Sequence, residues 1–285
     1  MGLEKYWNED PSDGLRVRQG FRLEEVDTRS TPGYEGDKTA AEVSLAEGAA
    51  ILAELQEKLF AGAQMGGDPR RVLLVLQAMD TAGKGGIVKH VMGAVDPQGV
   101  QVATFKKPTE EELAHDFLWR IEKELPDAGM IGVFDRSHYE DVLIGKVREL
   151  AEPDEIERRY DAINEFEAEV AASGTTIIKV MLHISTDEQK ERLMKRLERR
   201  DKHWKFNPGD IDERMLAPMY REAYQVVFDR TTTPHAPWYV IPADRKWYAR
   251  LAVQHLLIDA LDSMKLDWPV ADYDIEEQKA RLAVS

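Results

Sequence analysis

The sequence has 285 residues, with 38 lysines and arginines against 53 aspartates and glutamates, a formal net charge of −15, 43% hydrophobic residues and no cysteine. A chain of this length and composition builds a core, which excludes disorder throughout; without cysteine, disulfides and cysteine-ligated zinc, haem or iron–sulfur chemistry are excluded too. The acidic balance argues against general nucleic-acid binding, the opening MGLEKYWNED lacks the basic and apolar stretches of a signal peptide, and no window approaches the ~20 apolar residues of a membrane span, so a cytoplasmic protein is expected, with neither nucleic acid nor membrane as partner.

Residues 1–37 are polar and punctuated by Pro11, Gly14, Gly20, Pro32, Gly33 and Gly36, and they read as an arm laid over the main body. The main domain is expected over 38–265 and a tail over 266–285. Apolar residues recur at helical intervals over 38–63, with Asp37 as N-cap. RVLLVLQ (71–77) is a strand, followed by a glycine-rich turn and a helix over 87–95. VQVATF (100–105) is a second strand. Thr109 then opens a helix with a capping box to Glu112, expected to run to about residue 125, before Pro126. MIGVF (130–134) is a third strand, and helices are expected over 139–149 and 153–172. TTIIKVMLHI (175–184) is the longest strand, with Lys179 its only formally charged residue. A helix over 186–200, a polar excursion over 201–211, a helix over 212–229, a strand at WYVIP (238–242) and a closing helix over 245–262 complete the pattern. Apolar strands separated by helices predict an α/β fold of three layers, with a parallel sheet covered on both faces.

The sharpest local signal is AMDTAGKGGIVKH (78–90), directly after the first strand. The Gly83-Lys84 pair between a buried strand and a helix start matches a phosphate-binding loop, in which the turn's N–H groups converge on one anion. Ala82, Gly83, Gly85 and Gly86 would supply that cradle and Lys84 a full charge. Ala78 stands where the standard pattern has its first glycine, and Gly85 where it has the hydroxyl that binds Mg²⁺. A glycine-rich turn is also an ordinary strand-to-helix connection. Asp80 tips the balance, because a carboxylate inside a phosphate loop repels the ligand unless a cation lies between them.

The third strand ends in VFDRSHYED (133–141), which delivers Asp135 to the carboxyl edge of the sheet as a second metal-binding carboxylate, with Arg136 beside it to neutralise a phosphoryl group. Lys106 and Lys107 follow the second strand and fall at the same edge, either as phosphate contacts or as a solvated pair. His115 and Arg120 lie on the helix after them as possible supporting groups, His115 being spaced to share a face with Trp119. Residues 190–205 carry eight lysines and arginines against three acids, a local +5 that leaves the rest at −20. Arg192, Arg196 and Arg199 share a helical stripe there, with Arg200 next to it, and the reversal of sign in an acidic chain favours a polyanion contact over a solvated face. Gly-x-Ser-x-Gly, His-Glu-x-x-His and Gly-x-Gly-x-x-Gly are all absent.

VLQAMDTAGKGG, FKKPTEEELAHDFLWR, GVFDRSHYEDVL and ERLMKRLERRDKHWKF, in this order, resemble the polyphosphate kinase 2 family of polyphosphate:nucleotide phosphotransferases, and the resemblance runs from Leu52 to Leu261. It implies a P-loop kinase fold similar to thymidylate kinase. The ligands it implies are Mg²⁺, with Mn²⁺ as the substitute, inorganic polyphosphate, and AMP, ADP or GDP as the nucleotide. Carried over by position, Asp80 and Asp135 match the metal-associated carboxylates, Lys84 the loop lysine, Arg136 the adjacent arginine, and 192–213 a lid whose basic residues close over the phosphates. A homodimer or homotetramer is implied as well. The rival readings are an ATP-dependent nucleoside monophosphate kinase and a non-catalytic nucleotide- or polyphosphate-binding regulator; a basic track reaching well beyond the loop would argue against the first.

Overall fold

Val, Leu and Ile runs become the central strands here because both faces of each are covered. In the computed structural model, which describes residues 6–285, five strands form one sheet: β1 (Arg71–Ala78), β2 (Val100–Thr104), β3 (Ile131–Asp135), β4 (Thr175–His183) and β5 (Trp238–Pro242). Residues 1–5 of the expected arm lie outside the described residues. The strand order is β2-β3-β1-β4-β5 and every pairing is parallel. Leu76 of β1 stands opposite Asp135 of β3, and Ala78 opposite Leu182 of β4, so the first and third strands end side by side at the centre of the carboxyl edge.

The helices follow in chain order: α1 (Pro11–Gly14), α2 (Lys38–Gly66), α3 (Lys84–His90), α4 (Glu110–Leu113), α5 (Trp119–Glu122), α6 (Glu140–Val147), α7 (Pro153–Ala172), α8 (Thr186–Glu198), α9 (Gly209–Met215), α10 (Ala217–Thr231), α11 (Lys246–Ser263) and α12 (Ile275–Ala283). On one face of the sheet Leu74, Leu76, Val133 and Val180 pack with Leu52 and Leu59 of α2, Ile87 of α3 and Leu257 of α11. On the other, Leu73, Val75, Phe134 and Met181 pack with Val142 of α6, Ile163 of α7 and Val227 of α10. This is a three-layer α/β arrangement. The arm contributes Leu15, Val17, Leu23 and Tyr34 to the buried core. Val17 N–H donates to the Trp238 carbonyl at 2.8 Å and Val240 N–H to that of Leu15 at 3.0 Å.

Three expectations need correction. The capping box forms as expected, with Glu112 N–H donating to the Thr109 hydroxyl at 3.2 Å and Thr109 N–H to the Glu112 carboxylate at 2.7 Å. The helix does not run on to residue 125, however: α4 stops at Leu113, which is 68% exposed and has no core contact to continue it. Asp116 then accepts from Leu118 N–H at 3.1 Å, a local bond that competes with helix continuation and turns the chain into α5. The helix expected over 212–229 is two, α9 and α10, with Pro218, which has no N–H, in the first turn of the second. The polar excursion holds a 3-10 turn over Arg200–Lys205 and the start of α9. The tail contains α12, capped by Asp274, which accepts from Glu276 and Glu277 N–H at 2.9 and 3.0 Å; none of its residues is buried. Among the described residues, no helix is long and apolar enough to cross a membrane.

Candidate active site

β1 delivers the glycine-rich turn to the carboxyl edge of the sheet, and the turn is tight enough to need two left-handed residues, Thr81 (φ 66°) and Gly83 (φ 130°). α3 starts at Lys84, earlier than periodicity suggests, so the loop runs directly into a helix N-terminus. Lys84 folds back over the loop: its Nζ donates to the Ala78 carbonyl at 3.2 Å and lies 4.0 Å from Asp135 Oδ1. Arg136 adopts φ 67° and its Nη2 donates to Asp80 Oδ1 at 3.4 Å. The fold therefore brings together Asp80, Lys84, Asp135 and Arg136, although 56 residues separate Asp80 from Arg136. Burial works against the Arg136 charge, but Glu140, Asp80 and Asp135 outweigh it and raise its pKa. Burial pushes the Glu140 carboxyl up, against the pull of Arg136 and Lys84.

Asp80 and Asp135 both face the cleft and offer hard oxygen donors, with cationic groups beside them to share a phosphate. That donor set fits a hard divalent cation bound jointly by protein carboxylates and substrate phosphates.

A cleft of about 770 Å³ opens over the loop. Twelve lysines and arginines line it, against two acids, Asp80 and Asp135. Ala82, Gly83, Gly85 and Gly86 form its floor with Lys84; Lys106 and Arg136 stand at the strand ends; Arg196 and Arg199 come from the far side. Lys195, Lys202 and Lys205 of the basic segment line it too, as do Lys89, Lys246 and Arg250, which sequence reading missed. Burial, then Arg192, lowers the Lys246 pKa; burial lowers that of Arg250; burial, then Arg250 and Lys89, lowers that of His90. Burial is the first cause in all three, and a cleft lined by this many cations against two carboxylates carries a positive potential.

The remaining expected residues divide between the cleft and its surroundings. Arg192, read from its stripe as a phosphate contact, is 4% exposed, and its five donors serve the fold: Glu188 at 2.7 Å, the Thr81 and Ala82 carbonyls at 3.1 and 2.7 Å, and the Ala243 and Asp244 carbonyls at 2.6 and 3.0 Å. It reaches the rim of the cleft but holds the loop from behind. Arg196 donates to the Lys205 carbonyl at 3.1 Å and pairs with Asp210 at 3.4 Å, while Arg199 pairs with Asp201 at 2.8 Å. Lys107 and Arg200 are exposed and lie outside the cleft lining. Arg120 is buried, and donates to the Lys106 carbonyl at 2.9 Å and to Asp141 at 3.4 Å, steadying the Lys106 segment. His115 is exposed and stacks on Trp119 with ring centres 4.0 Å apart, also outside the lining.

A second cavity, of about 240 Å³, adjoins the cleft. The two share Asp80 and Arg136, and the second is lined further by Met79, Leu143, Ile144, Tyr220 and Tyr224, together with Glu140, Asp210 and Glu213. Tyr220 donates to Glu213 at 2.7 Å, and Arg148 bonds the same carboxylate at 2.7 Å.

The family Polyphosphate kinase 2 (PPK2) matches residues 35–269. An AMP/ADP-polyphosphate phosphotransferase of Meiothermus ruber is 45% identical over 249 residues, which is 87% of this chain and 91% of that one. An ADP-polyphosphate phosphotransferase of Rhodopseudomonas palustris is 38% identical over 273 residues, 90% of this chain and 91% of that one. The crystal structure of polyphosphate kinase 2 from Arthrobacter aurescens TC1 superposes with a TM-score of 0.96 at 58% identity, covering 98% of each chain. With a family match over most of its length and relatives of this similarity, the chain belongs to the polyphosphate kinase 2 family.

Proposed function

We propose that the protein transfers phosphoryl groups between inorganic polyphosphate and a nucleoside mono- or diphosphate, with AMP and ADP as acceptors. The observation that carries this reading is the cleft, whose basic lining extends past the loop along α8 and α11. A nucleoside triphosphate donor needs cationic groups for three phosphates; a track reaching from Lys89 to Lys205 and Arg250 suits a longer polyanion. The names of the Meiothermus and Rhodopseudomonas relatives support the acceptors.

In this reading polyphosphate occupies the basic cleft and the acceptor nucleotide the second cavity. Arg136, shared by both, lies where the phosphoryl group passes. Loop N–H groups and Lys84 cradle the donor phosphate, and Arg136 neutralises charge on the group in transfer. Asp80 and Asp135 would hold Mg²⁺ or Mn²⁺, which when bound offsets the mutual repulsion of the two anionic substrates. The acceptor phosphate is already an anionic nucleophile, so the protein's share is positioning and charge, with no strong general base. The segment 192–213 serves as lid: its Lys195, Arg196, Arg199, Lys202 and Lys205 line the cleft, and closure excludes water and favours transfer over hydrolysis.

The test is to mix the protein with Mg²⁺, polyphosphate and AMP or ADP, with no triphosphate present, and to resolve the nucleotides over time. ADP or ATP is expected. No product here, together with transfer from ATP to a monophosphate, would establish the conventional kinase instead; binding without either transfer would leave the non-catalytic regulator.

A further inference from the structure

Beneath the Asp135-Arg136 turn lies a charged cluster that the transfer chemistry does not use. Lys179, in the middle of β4, is fully buried, and all three of its donors are taken: by Glu167 of α7 at 2.6 Å, by the Tyr139 hydroxyl at 2.8 Å and by the Thr231 carbonyl at the end of α10 at 2.8 Å. The Tyr139 hydroxyl in turn donates to Glu167 at 2.8 Å, and His138 Nε2 lies 3.1 Å from the same oxygen. Tyr139, His138 and Glu167 are each at most 1% exposed. Burial raises the Glu167 carboxyl, yet Lys179 and the His138 bond outweigh it and leave the carboxyl below its ordinary range; burial pulls the Lys179 ammonium down. With three acceptors around it, the ammonium is the form the pocket satisfies.

Stability does not account for this cluster, since exchanging a buried ion pair for apolar side chains of similar volume is often neutral or stabilising. Its position does. Residues 138 and 139 directly follow Arg136-Ser137, and Arg136 holds a left-handed backbone that a side-chain-bearing residue adopts only when its surroundings impose it. On the upstream side the turn is fastened by Arg136 N–H to the Leu76 carbonyl at 3.0 Å. Gln77, with its amide turned so that both ends are satisfied, accepts from Ser137 N–H at 3.2 Å and Ser137 Oγ at 3.1 Å, and donates to Glu140 at 3.0 Å. On the downstream side the deep anchors are the side chains of His138 and Tyr139. We infer that the Lys179–Glu167–Tyr139–His138 cluster is a positioning device for Arg136, fixing the far end of the turn so that the guanidinium stays aimed across Asp80 into both cavities. Its catalytic consequence rests on the phosphotransferase reading above; its structural consequence does not. Misplacing a group at the reacting centre by about 1 Å costs on the order of 10²-fold in rate, so the cluster acts on turnover more than on substrate capture.

The experiment uses two variants of the full chain. Tyr139→Phe keeps the ring packed on Trp238, whose centre is 4.7 Å away, and removes only the hydroxyl that joins Lys179 to Glu167. Lys179→Met with Glu167→Leu removes both charges together. For Tyr139→Phe, a fall in kcat of ~10-fold is expected by the same positional argument. The half-saturating polyphosphate concentration should stay within about two-fold, because the basic cleft is untouched, while the unfolding midpoint falls, because Lys179 and Glu167 each lose a buried hydrogen-bond partner. The double variant should lose about as much kcat again. Backbone hydrogen exchange should quicken at residues 136–140 and not across the sheet. Unchanged kcat in a folded double variant, or in Tyr139→Phe if the double variant does not fold, overturns the inference, as does exchange that quickens evenly through the core. If the unaltered protein shows no transfer, the phosphotransferase reading fails, while the exchange pattern still decides whether the cluster holds the turn.

Discussion

Arg192 of α8 donates through Nη1 to the Ala82 carbonyl at 2.7 Å, so the helix leading into the proposed lid also grips the phosphate loop from below. Arg192→Met would leave the carbonyls of Thr81, Ala82, Ala243 and Asp244 without this donor. The expected loss is about 2–4 kcal/mol of stability, with turnover falling at least ~10-fold as the loop loosens. Urea unfolding and steady-state rates measured on one preparation check both.

Asp80→Asn and Asp135→Asn each keep side-chain size and remove a charge from half-exposed positions, so folding should be unaffected. Turnover should fall by ~10²-fold or more in each, by loss of electrostatic stabilisation of the transfer. Chelation of divalent cations should abolish the activity of the unaltered protein, and Mg²⁺ or Mn²⁺ should restore it. Most of the activity surviving in both variants would sink the assignment of these carboxylates.

Lys195, Arg199 and Lys205 line the cleft from the proposed lid. Changing all three to Gln should raise the half-saturating polyphosphate concentration by ~5-fold or more at low salt, while kcat changes little. The gap should narrow as salt rises, because screening weakens the same attraction in the unaltered protein. A gap that is indifferent to salt would mean these residues act by shape.

Gly83 stands at φ 130°, where L side chains are strained, although a Cβ would find its nearest neighbour, Leu182 Cδ1, at 4.0 Å. The obstacle is therefore conformational. Gly83→Ala should cost about 1–3 kcal/mol and reduce turnover by shifting the N–H groups that follow. Thermal unfolding and the assay above report the two effects.

His183, at the end of β4, is 7% exposed. Burial, reinforced by Arg221 and opposed by Asp244, lowers its pKa from 6.5 to about 4. The folded state therefore resists a proton that the unfolded chain accepts, so the stability His183 confers is present above pH 6.5 and is lost as pH falls from there toward 4. The total is about 3 kcal/mol, of which about 2 is gone by pH 5. His183→Gln should lose correspondingly less stability than the unaltered protein between pH 7 and pH 5 in urea titrations. Equal losses in the two would show that carboxylates alone carry the acid response.

The central strands were legible because each, buried on two faces, reads as a largely apolar run, and the residues after the strands were legible because a parallel sheet presents its strand ends at one edge. Asp80, Lys84, Asp135 and Arg136 sit where that logic places them. Lys246 and Arg250 could not be read this way, since nothing in the sequence says that the start of α11 lies against α3. Arg192 shows the limit of a charge stripe: periodicity groups it with Arg196, but only the packed structure reveals that it faces the loop's carbonyls. The break at Asp116 was hidden for a related reason, because a helical pattern does not show whether an apolar residue such as Leu113 finds a core to pack on.

The arm's bonds to β5 have a consequence for solubility. β5 ends the sheet, and an outermost strand offers unpaired N–H and C=O groups to any other extended chain, an invitation to aggregate. Residues 15–17 occupy part of that row through Val17 N–H to the Trp238 carbonyl and Val240 N–H to the Leu15 carbonyl, so the chain blunts its own sticky border with a segment of its arm.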